Sequence, residues 1–284
     1  MTPEIDPEDV PQPEDLPQAE APEEDAPEGI SEDPEDGADA PQRGERIAKW
    51  LARAGVASRR DAEKMLTGSR VRVNNVAIVH PASFVQPGDM VVVDGKVVDE
   101  PDRARMWRYH KPDGLVTTHR DPENRPTVFA SLPPGLPRVI SVGRLDLSSE
   151  GLLLLTNDGA LARRLELPAN GWIRRYRVRV YGMVDERRLA DLAGGSEFEG
   201  VQYGPIEAGL DSRKGDNAWS TVALKEGRNR EVRKVMLALN LHVSRLIRTA
   251  YGPFQLGTLQ RRELEEVPGK VLREQISGLG PAPR

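Results

Sequence analysis

Two short helices are predicted near residue 50, because apolar residues recur there three or four positions apart. The first helix stops at Gly55, a residue type that commonly ends helices. The second begins at Ser58, whose spacing to Asp61 resembles a capping box, and it closes at Gly68. The inward positions are Ile47, Trp50, Leu51 and Ala54 in the first helix, and Ala62, Met65 and Leu66 in the second.

Short strands are predicted to follow these helices. Val71 and Val73 alternate with two arginines, as on a half-buried strand. The pair Asn74-Asn75 suits a turn. An apolar strand then runs from Met90 to Val93. These segments together form one small unit of two helices and short strands.

The longer second part of the chain mixes strand and helix patterns. Tyr176, Val178 and Val180 alternate with arginines, which predicts a strand with one apolar and one strongly basic face. Strands with interspersed helices and no βαβ regularity predict an α+β fold with a mixed, mainly antiparallel sheet and flanking helices. Further predicted elements are strands at 152–155 and 219–224 and helices at 185–193 and 231–239.

Charge is distributed unevenly along the chain. The net charge of −5 includes 16 acidic and no basic residues within positions 1–42, which also hold nine prolines. Such a segment is expected to be disordered, as a solubilising tail or as a regulatory tail that competes with a polyanion. The remaining residues carry a formal charge of +11, which indicates a polyanionic partner.

Several classes of protein are excluded by what the chain lacks. It has no cysteine, which rules out disulfide scaffolds and thiol catalysis. The four histidines have no metal-ligand spacing, and no Walker loop or dinucleotide glycine pattern occurs. The N-terminus does not resemble a signal peptide, and no apolar run approaches the roughly 18 residues of a spanning helix. We therefore expect a soluble cytoplasmic protein.

The small N-terminal unit carries many outward basic residues. Their clustering on two short helices favours phosphate contact over an ordinary solvated surface. Residues 45–75 resemble the small αL RNA-binding module, which binds structured RNA through phosphates and shape. The outward basic residues of the unit are Arg46, Lys49, Arg53, Arg59, Arg60, Lys64, Arg70 and Arg72. The resemblance implies RNA contacts by Arg59, Arg60, Lys64, Arg70 and Asn74.

The most informative segment for chemistry is residues 142–159. An apolar strand leads into a short polar loop with Arg144 and Asp146, and a second apolar strand follows. An aspartate in such a loop serves either as a nucleophile or base, or as a structural turn residue. The pair Asp146 and Glu150 is also compatible with a glycosidase that uses two carboxylates, although the sequence shows no aromatic-rich sugar cleft.

Residues 143–159 resemble the catalytic motif of pseudouridine synthases, in the branch that acts on bacterial small- and large-subunit ribosomal RNA. Three further segments match that branch in the expected order, so the resemblance spans about residues 44–268. It implies an enzyme that detaches uracil from ribose and reattaches it through carbon, with no cofactor or metal. The three segments are 109–114, the pair Arg175-Tyr176, and the C-terminal signature at 226–234 with 244–248 and 251–253.

The resemblance also assigns roles to single residues. Asp146 is the essential carboxylate, and Arg233 supplies the positive charge that an ionised carboxylate needs in a partly dry pocket. Tyr176 stacks on the flipped base and assists proton removal, unless it is only a packing residue of its strand. Arg144 fills the gap left by the base or holds a phosphate. Phosphate contacts are expected from Lys111, Arg228 and Arg230.

The domain organisation follows from these assignments. The main alternative to an enzyme is a non-catalytic RNA-binding factor for ribosome assembly. We expect a monomer that acts on ribosomal RNA or a pre-ribosomal particle, without a membrane or small-molecule cofactor, and large-subunit RNA is favoured. The predicted parts are a tail at 1–43, the αL domain at 44–98, a linker at 99–104, the catalytic domain at 105–270 and a C-terminal tail at 271–284.

Overall fold

The computed structural model describes residues 44–279. The acidic segment that is predicted to be disordered lies outside this range. None of the helices between residues 44 and 279 combines the length and the apolar composition that crossing a bilayer requires.

The first part of the structure is a small helical unit with two minor sheets. The side chain of Ser58 accepts a hydrogen bond from the amide of Asp61 at 3.1 Å, which confirms the predicted start of the second helix. Gly55 has a φ of +79°, the left-handed conformation expected where the first helix ends. The elements are β1 Glu45–Arg46, α1 Ile47–Arg53, α2 Arg59–Thr67, β2 Val71–Val73, β3 Val76–Ala77, β4 Phe84–Val85, β5 Val91–Val93 and β6 Lys96–Val98.

These elements enclose a separate hydrophobic core. The strands β3, β2, β5 and β6 form an antiparallel sheet in that order, while β1 pairs with β4. Ile47, Leu51, Leu66 and Val71 are fully buried between the two helices and the sheet. The second helix therefore presents its other side, with its basic residues, to solvent.

The second part is built on one large sheet. The elements of this second part are β7 Met106–Lys111, β8 Ile140–Val142, β9 Ser149–Thr156, α3 Gly159–Glu166, β10 Arg174–Tyr181, α4 Glu186–Asp191, β11 Ser196–Phe198, β12 Val201–Tyr203, β13 Ile206–Lys214, β14 Asn217–Leu224, α5 Glu231–Ala238, β15 His242–Tyr251, β16 Phe254–Gln255, β17 Leu264–Glu266 and α6 Gly269–Ile276. The strand order is β13-β14-β10-β15-β9-β7-β17, with β16 beside β15 and β8 beside β9. Only the pairing of β15 with β9 is parallel among these described strands, which confirms the mixed, mainly antiparallel sheet.

The sheet has a hydrophobic core on each face. Alternate residues of β9 enter different cores, with Leu153 and Leu155 on one side and Leu152 and Leu154 on the other. All eight residues of β9 are buried, as expected for a strand covered on both sides. Side chains of α4 and α5 complete the first core, and those of α3 and α6 complete the second.

The predicted end of the catalytic domain at residue 270 is wrong. That position falls inside α6, and Leu272 is buried in the second core. Ile276 and Leu279 pack against the same cluster. The helix continues because its apolar residues recur at helical spacing and have a core to cover, so no tail begins at 271.

The two parts of the structure are in direct contact through ion pairs. Arg53 of α1 lies 3.8 Å from the carboxylate of Asp158, and Arg120 lies 3.4 Å from that of Asp61. Residues 99–104, which join the two parts along the chain, have no regular secondary structure.

One glycine allows the parallel strands of the main sheet to approach each other. Gly151 of β9 has a φ of +101° and lies opposite Arg248 of β15. A Cβ atom at this position would overlap the carbonyl oxygen of Arg248 and come within 2.7 Å of its amide nitrogen. Both the space and the backbone conformation therefore require glycine.

We expect Gly151→Ala to prevent stable folding or to lower the free energy of unfolding by more than about 4 kcal/mol, because two backbones would have to separate. Gly209→Ala in β13 is the matched control, since nothing lies within 4 Å of its Cβ position. The control should change stability by less than about 1 kcal/mol. Urea-induced unfolding measures both, and similar stability of the two variants would contradict the close approach.

Candidate active site

A short loop at residues 143–148 connects β8 to β9 and carries Asp146. The carboxylate of Asp146 is about one third exposed, with a side-chain relative exposure of 33%. The loop begins after the buried residue Val142 and ends at the buried residue Ser149, so both of its ends are held in the sheet. The aspartate is thus presented at the surface by a fixed support.

The buried ammonium group of Lys111 holds this loop in place. Its Nζ donates to the carbonyl oxygens of Pro112 at 3.0 Å, Asp146 at 3.0 Å, Leu147 at 3.3 Å and Ser149 at 2.8 Å. The side chain is 0% exposed. Lys111 is therefore a support for the Asp146 loop, and the predicted phosphate contact is wrong because RNA cannot reach a fully buried group.

Burial lowers the pKa of Lys111 to about 8, while Asp146, Asp113 and Glu150 act in the opposite direction. The ammonium group is mostly charged at neutral pH. A buried charge is costly unless it is hydrogen-bonded, and four carbonyl oxygens supply those bonds. The lysine and the loop therefore depend on each other.

Additional contacts tie the loop to its surroundings on both sides. The hydroxyl of Thr117 donates to the carbonyl of Leu145 at 2.8 Å, and the amide of Gly114 donates to that of Leu147 at 2.9 Å. The carboxylate of Glu166 accepts from the amide of Gly143 at 2.5 Å. Sequence patterns give no signal for Thr117 or Glu166, because each acts through hydrogen bonds to a residue distant in the sequence.

Two arginines of the α5 region approach the same loop in different ways. Nη1 of Arg230 lies 3.9 Å from Oδ2 of Asp146, which makes it the only cationic group within 4.0 Å of this carboxylate among residues 44–279. Arg233 instead donates to the carbonyl of Ser148 at 3.0 Å and to that of Val243 at 3.1 Å. Burial and the charge of Arg230 lower the pKa of Arg233, while Asp146 raises it. The geometry therefore adds Arg230 to the surroundings of Asp146 and gives Arg233 a bridging position.

A buried carboxylate fixes the turn that carries Arg230. Glu231 is 3% exposed and accepts hydrogen bonds from the amides of Gly227 at 2.8 Å and Arg228 at 2.7 Å. Burial raises its pKa. Arg230 itself has a φ of +50°, so the chain turns sharply just before α5. This arrangement directs the side chain of Arg230 towards the β8–β9 loop.

Tyr176 lies on β10 and is 8% exposed. It belongs to the first core together with Leu145, the neighbour of Asp146, and Val232 of α5. The structure thus places Tyr176, the Asp146 loop and α5 around one cluster.

The remaining predicted residues lie nearer the surface. Arg144 is exposed and lies near Glu166. Burial raises the pKa of Glu166, and the positive charge of Arg144 acts in the opposite direction. Arg228 pairs with Glu226 at 2.8 Å and donates to the carbonyl of Gln202 at 2.6 Å.

In the N-terminal unit, Arg70 pairs with Asp94 at 2.5 Å, and the Asn74 side chain donates to Asp89 at 2.7 Å. The other predicted RNA contacts, Arg59, Arg60 and Lys64, are exposed on α2.

Glu150 is held in an ion-pair cluster. It is 3% exposed, and its two oxygens accept from Arg245 at 2.7 Å and from Arg261 at 2.5 Å. Burial opposes ionisation, but the two arginines prevail and lower its pKa. Both oxygens are therefore engaged, which removes Glu150 as the second carboxylate of a glycosidase.

The site therefore combines a rigid backbone with an accessible anionic group. The carbonyls of the loop are hydrogen-bonded, whereas the Asp146 carboxylate faces solvent between basic side chains. This arrangement suits a carboxylate that acts as a nucleophile or base on an anionic substrate.

Comparisons with known proteins agree with this geometry. Residues 105–238 match the family model described as RNA pseudouridylate synthase, and residues 45–91 match that of the S4 domain. An uncharacterized RNA pseudouridine synthase of Rickettsia felis is 44% identical over 230 residues, which cover 81% of this chain and 100% of the relative. The ribosomal large subunit pseudouridine synthase B of Salmonella typhi is 43% identical over 219 residues, or 75% of each chain.

A solved structure supports the fold. The crystal structure of a pseudouridylate synthase aligns with a TM-score of 0.56 at 24% sequence identity. The alignment covers 82% of this chain and 100% of that chain.

We expect Lys111→Met to lower the free energy of unfolding by about 3 kcal/mol or more, because several loop carbonyls lose their donor in a buried position. Limited proteolysis within residues 143–148 should also become faster, since the loop loses its anchor. Lys214→Met is the matched control, because Lys214 is exposed on β13. Equal urea stability and equal cleavage rates for the two variants would show that Lys111 does not hold the loop.

Proposed function

The chain belongs to the family of RNA pseudouridylate synthases, and from this premise we propose that it converts a uridine of ribosomal RNA to pseudouridine with Asp146 as the essential carboxylate. The observation that carries the proposal is the contrast within the loop at 143–148. Its backbone is held by Lys111, Thr117 and Arg233, while the carboxylate of Asp146 is left accessible. Such preorganisation is what a catalytic carboxylate requires.

Ribosomal RNA of the large subunit is the favoured substrate. The relative of Salmonella typhi is named for that subunit and is 43% identical over three quarters of both chains. The S4 domain with its exposed basic side chains would provide binding energy outside the site. We expect the enzyme to work as a monomer in the cytoplasm and to need no cofactor.

The reaction requires the target uridine to leave its stack, because the bond to be broken is otherwise inaccessible. The bond between ribose and the base nitrogen breaks, the base turns, and a bond forms between ribose and a base carbon. The proton on that carbon is lost, and the released nitrogen gains one, so the isomerisation is balanced without a co-reactant. Asp146 either attacks the sugar or removes a sugar proton in the first step.

Both versions of the first step need an ionised carboxylate. Arg230 places positive charge next to this group, since its guanidinium lies 3.9 Å from the carboxylate. The half-buried guanidinium of Arg233 adds charge from a fixed position, because two carbonyls hold it. Together they place positive charge beside the carboxylate when the base excludes water.

Tyr176 and Arg144 complete the proposed site. The ring of Tyr176 would stack on the flipped uracil, and its hydroxyl would assist removal of the proton from the new attachment carbon. Arg144 is exposed on the loop two positions before Asp146 and would fill the gap in the RNA or hold the adjoining phosphate. Arg228 would contact a neighbouring phosphate.

Asp146→Asn should reduce pseudouridine formation in large-subunit RNA by at least about a thousandfold, because the amide can neither attack nor accept a proton. Binding of the same RNA should change little, since the substitution leaves the basic surface intact. Mapping of pseudouridines by mass spectrometry, with RNA from a deletion strain as substrate, measures the loss. Turnover near the wild-type rate would show that Asp146 is not the essential carboxylate, whereas a wild type that forms no pseudouridine would favour a non-catalytic role in ribosome assembly.

Lysine should replace Arg230 better than it replaces Arg233. Arg230 acts by charge at 3.9 Å, so Arg230→Lys should retain most of the turnover that Arg230→Gln loses. Arg233 joins two separate carbonyls through its two terminal nitrogens, so Arg233→Lys should lose both turnover and thermal stability. Single-turnover rates and melting temperatures of the four variants, including Arg233→Gln, test the difference. Equal rescue by lysine at both positions would contradict these separate roles.

A further inference from the structure

The outward face of β10 carries three arginines that the proposed reaction does not use. Arg175, Arg177 and Arg179 are exposed, whereas Tyr176 and Val178 between them are buried in the first core. The basic residues therefore point away from the side of the sheet on which α5 packs. Alternation along the strand places them roughly 7 Å apart in one row.

Among the described residues, these three arginines have no carboxylate as a counter-ion. Within residues 44–279, no carboxylate lies within 4.0 Å of any of them. The guanidinium of Arg177 instead lies 4.6 Å from the ring centre of Trp219 on the neighbouring strand. By contrast, many arginines elsewhere pair with a carboxylate, including Arg70 with Asp94 and Arg228 with Glu226.

The neighbouring strands extend this basic row. Arg245 of β15 lies directly opposite Arg179, and its guanidinium is 6.0 Å from the ring centre of Trp219. Carboxylates also belong to the surroundings, among them Glu207 of β13, which like Arg175 lies opposite Ala223 of β14. Glu150 is engaged by Arg245 and Arg261, and Asp211 accepts a hydrogen bond from the hydroxyl of Thr221 at 3.0 Å. The balance is positive, and we call Arg175, Arg177 and Arg179 the arginine row.

A row of like charges on one sheet face destabilises the free protein by mutual repulsion, so an external anion is the natural counterpart. Regularly spaced cations fit the phosphate backbone of a nucleic acid. An acidic protein surface fits less well, because protein interfaces need accessible apolar or aromatic anchors at their centre. Of the aromatic residues on this face, Trp219 lies beneath Arg177 and Arg245, and Tyr181 stands at the end of β10, beyond Arg179.

The arginines of β10 and the proposed active site lie on different sides of the sheet. Asp146 lies beside Arg230 at the start of α5, and α5 packs on the first core. The arginine row projects from the opposite side of β10. RNA bound there would not be the segment that enters the site, but a part that passes around the protein.

We propose that the arginine row is a second RNA surface, which binds the phosphate backbone of ribosomal RNA outside the segment that holds the target uridine. This inference rests on the proposed function, because it takes ribosomal RNA as the ligand. The surface contributes affinity for long, folded RNA and discriminates little between sequences. Short RNA that only fills the active site does not reach it.

The experiment compares two full-length variants that each lose three positive charges. The row variant is Arg175→Gln/Arg177→Gln/Arg179→Gln. The control is Arg163→Gln/Arg187→Gln/Lys270→Gln, whose residues are exposed on three different helices. Affinity for deproteinised large-subunit RNA is measured as a function of salt, and turnover is measured on the shortest fragment of that RNA that the wild type modifies.

We expect the row variant to bind large-subunit RNA about tenfold more weakly than the control at 0.1 M salt, with a salt dependence reduced by about 2 in the logarithmic slope. Turnover of the short fragment should equal that of the control. Arg175→Lys/Arg177→Lys/Arg179→Lys should restore most of the affinity, because phosphate contact depends on charge.

Three results would overturn the proposal. The first is equal RNA affinity and salt slope for the row and control variants. The second is a lysine variant as weak as the glutamine variant, which would indicate a structural role for the guanidinium groups. The third is selective loss of binding to immobilised polyaspartate with unchanged RNA binding, which would identify an acidic polypeptide as the occupant. Failure of the proposed function is distinguishable, since the wild type would then form no pseudouridine in any of these RNAs.

Discussion

The ammonium group of Lys111 lies at the end of β7 and donates to carbonyls on both sides of Asp146. A buried charge without such acceptors would be strongly unfavourable, and a polar loop without such a donor would leave its carbonyls unpaired. Each therefore stabilises the other. The Asp146 carboxylate is held in position as a result, because the hydrogen bonds to Lys111 restrict the conformation of the loop backbone. The accessible side chain can then be anionic and reactive without being mobile.

This arrangement in turn depends on the way the central strands meet. Lys111 pairs with Gly151 of β9, and Gly151 also lies opposite Arg248 of the parallel strand β15. The missing side chain at 151 lets the three strands come together beneath the loop. Arg248, which is 3% exposed, donates from Nε to the carbonyl of Leu152 at 2.8 Å and strengthens the same junction. The loop is thus anchored where β7, β9 and β15 meet.

Features that repeat along the chain were predictable, and features that depend on one distant contact were not. The cap at Ser58 and the two faces of β10 follow from local spacing, and both are present. Residue type alone suggested that Lys111 would face RNA, since lysine is seldom buried. Only the tertiary structure shows that four carbonyl oxygens accept hydrogen bonds from its ammonium group. Similarly, the apolar residues of α6 recur at helical spacing past residue 270, but only the structure shows that a core exists for Leu272.

The arginines of this chain divide according to their partners, and this division separates structural from ligand-binding charge. Arg245 and Arg261 satisfy the buried carboxylate of Glu150, and Arg233 satisfies backbone carbonyls, so these groups are used within the fold. Arg177 and its neighbours on the outer face of β10 satisfy no carboxylate among residues 44–279. A folded chain tolerates such a row only at some cost to its stability. That cost is offset when RNA supplies the missing negative charge, so the row is best understood as part of the binding surface and not of the fold.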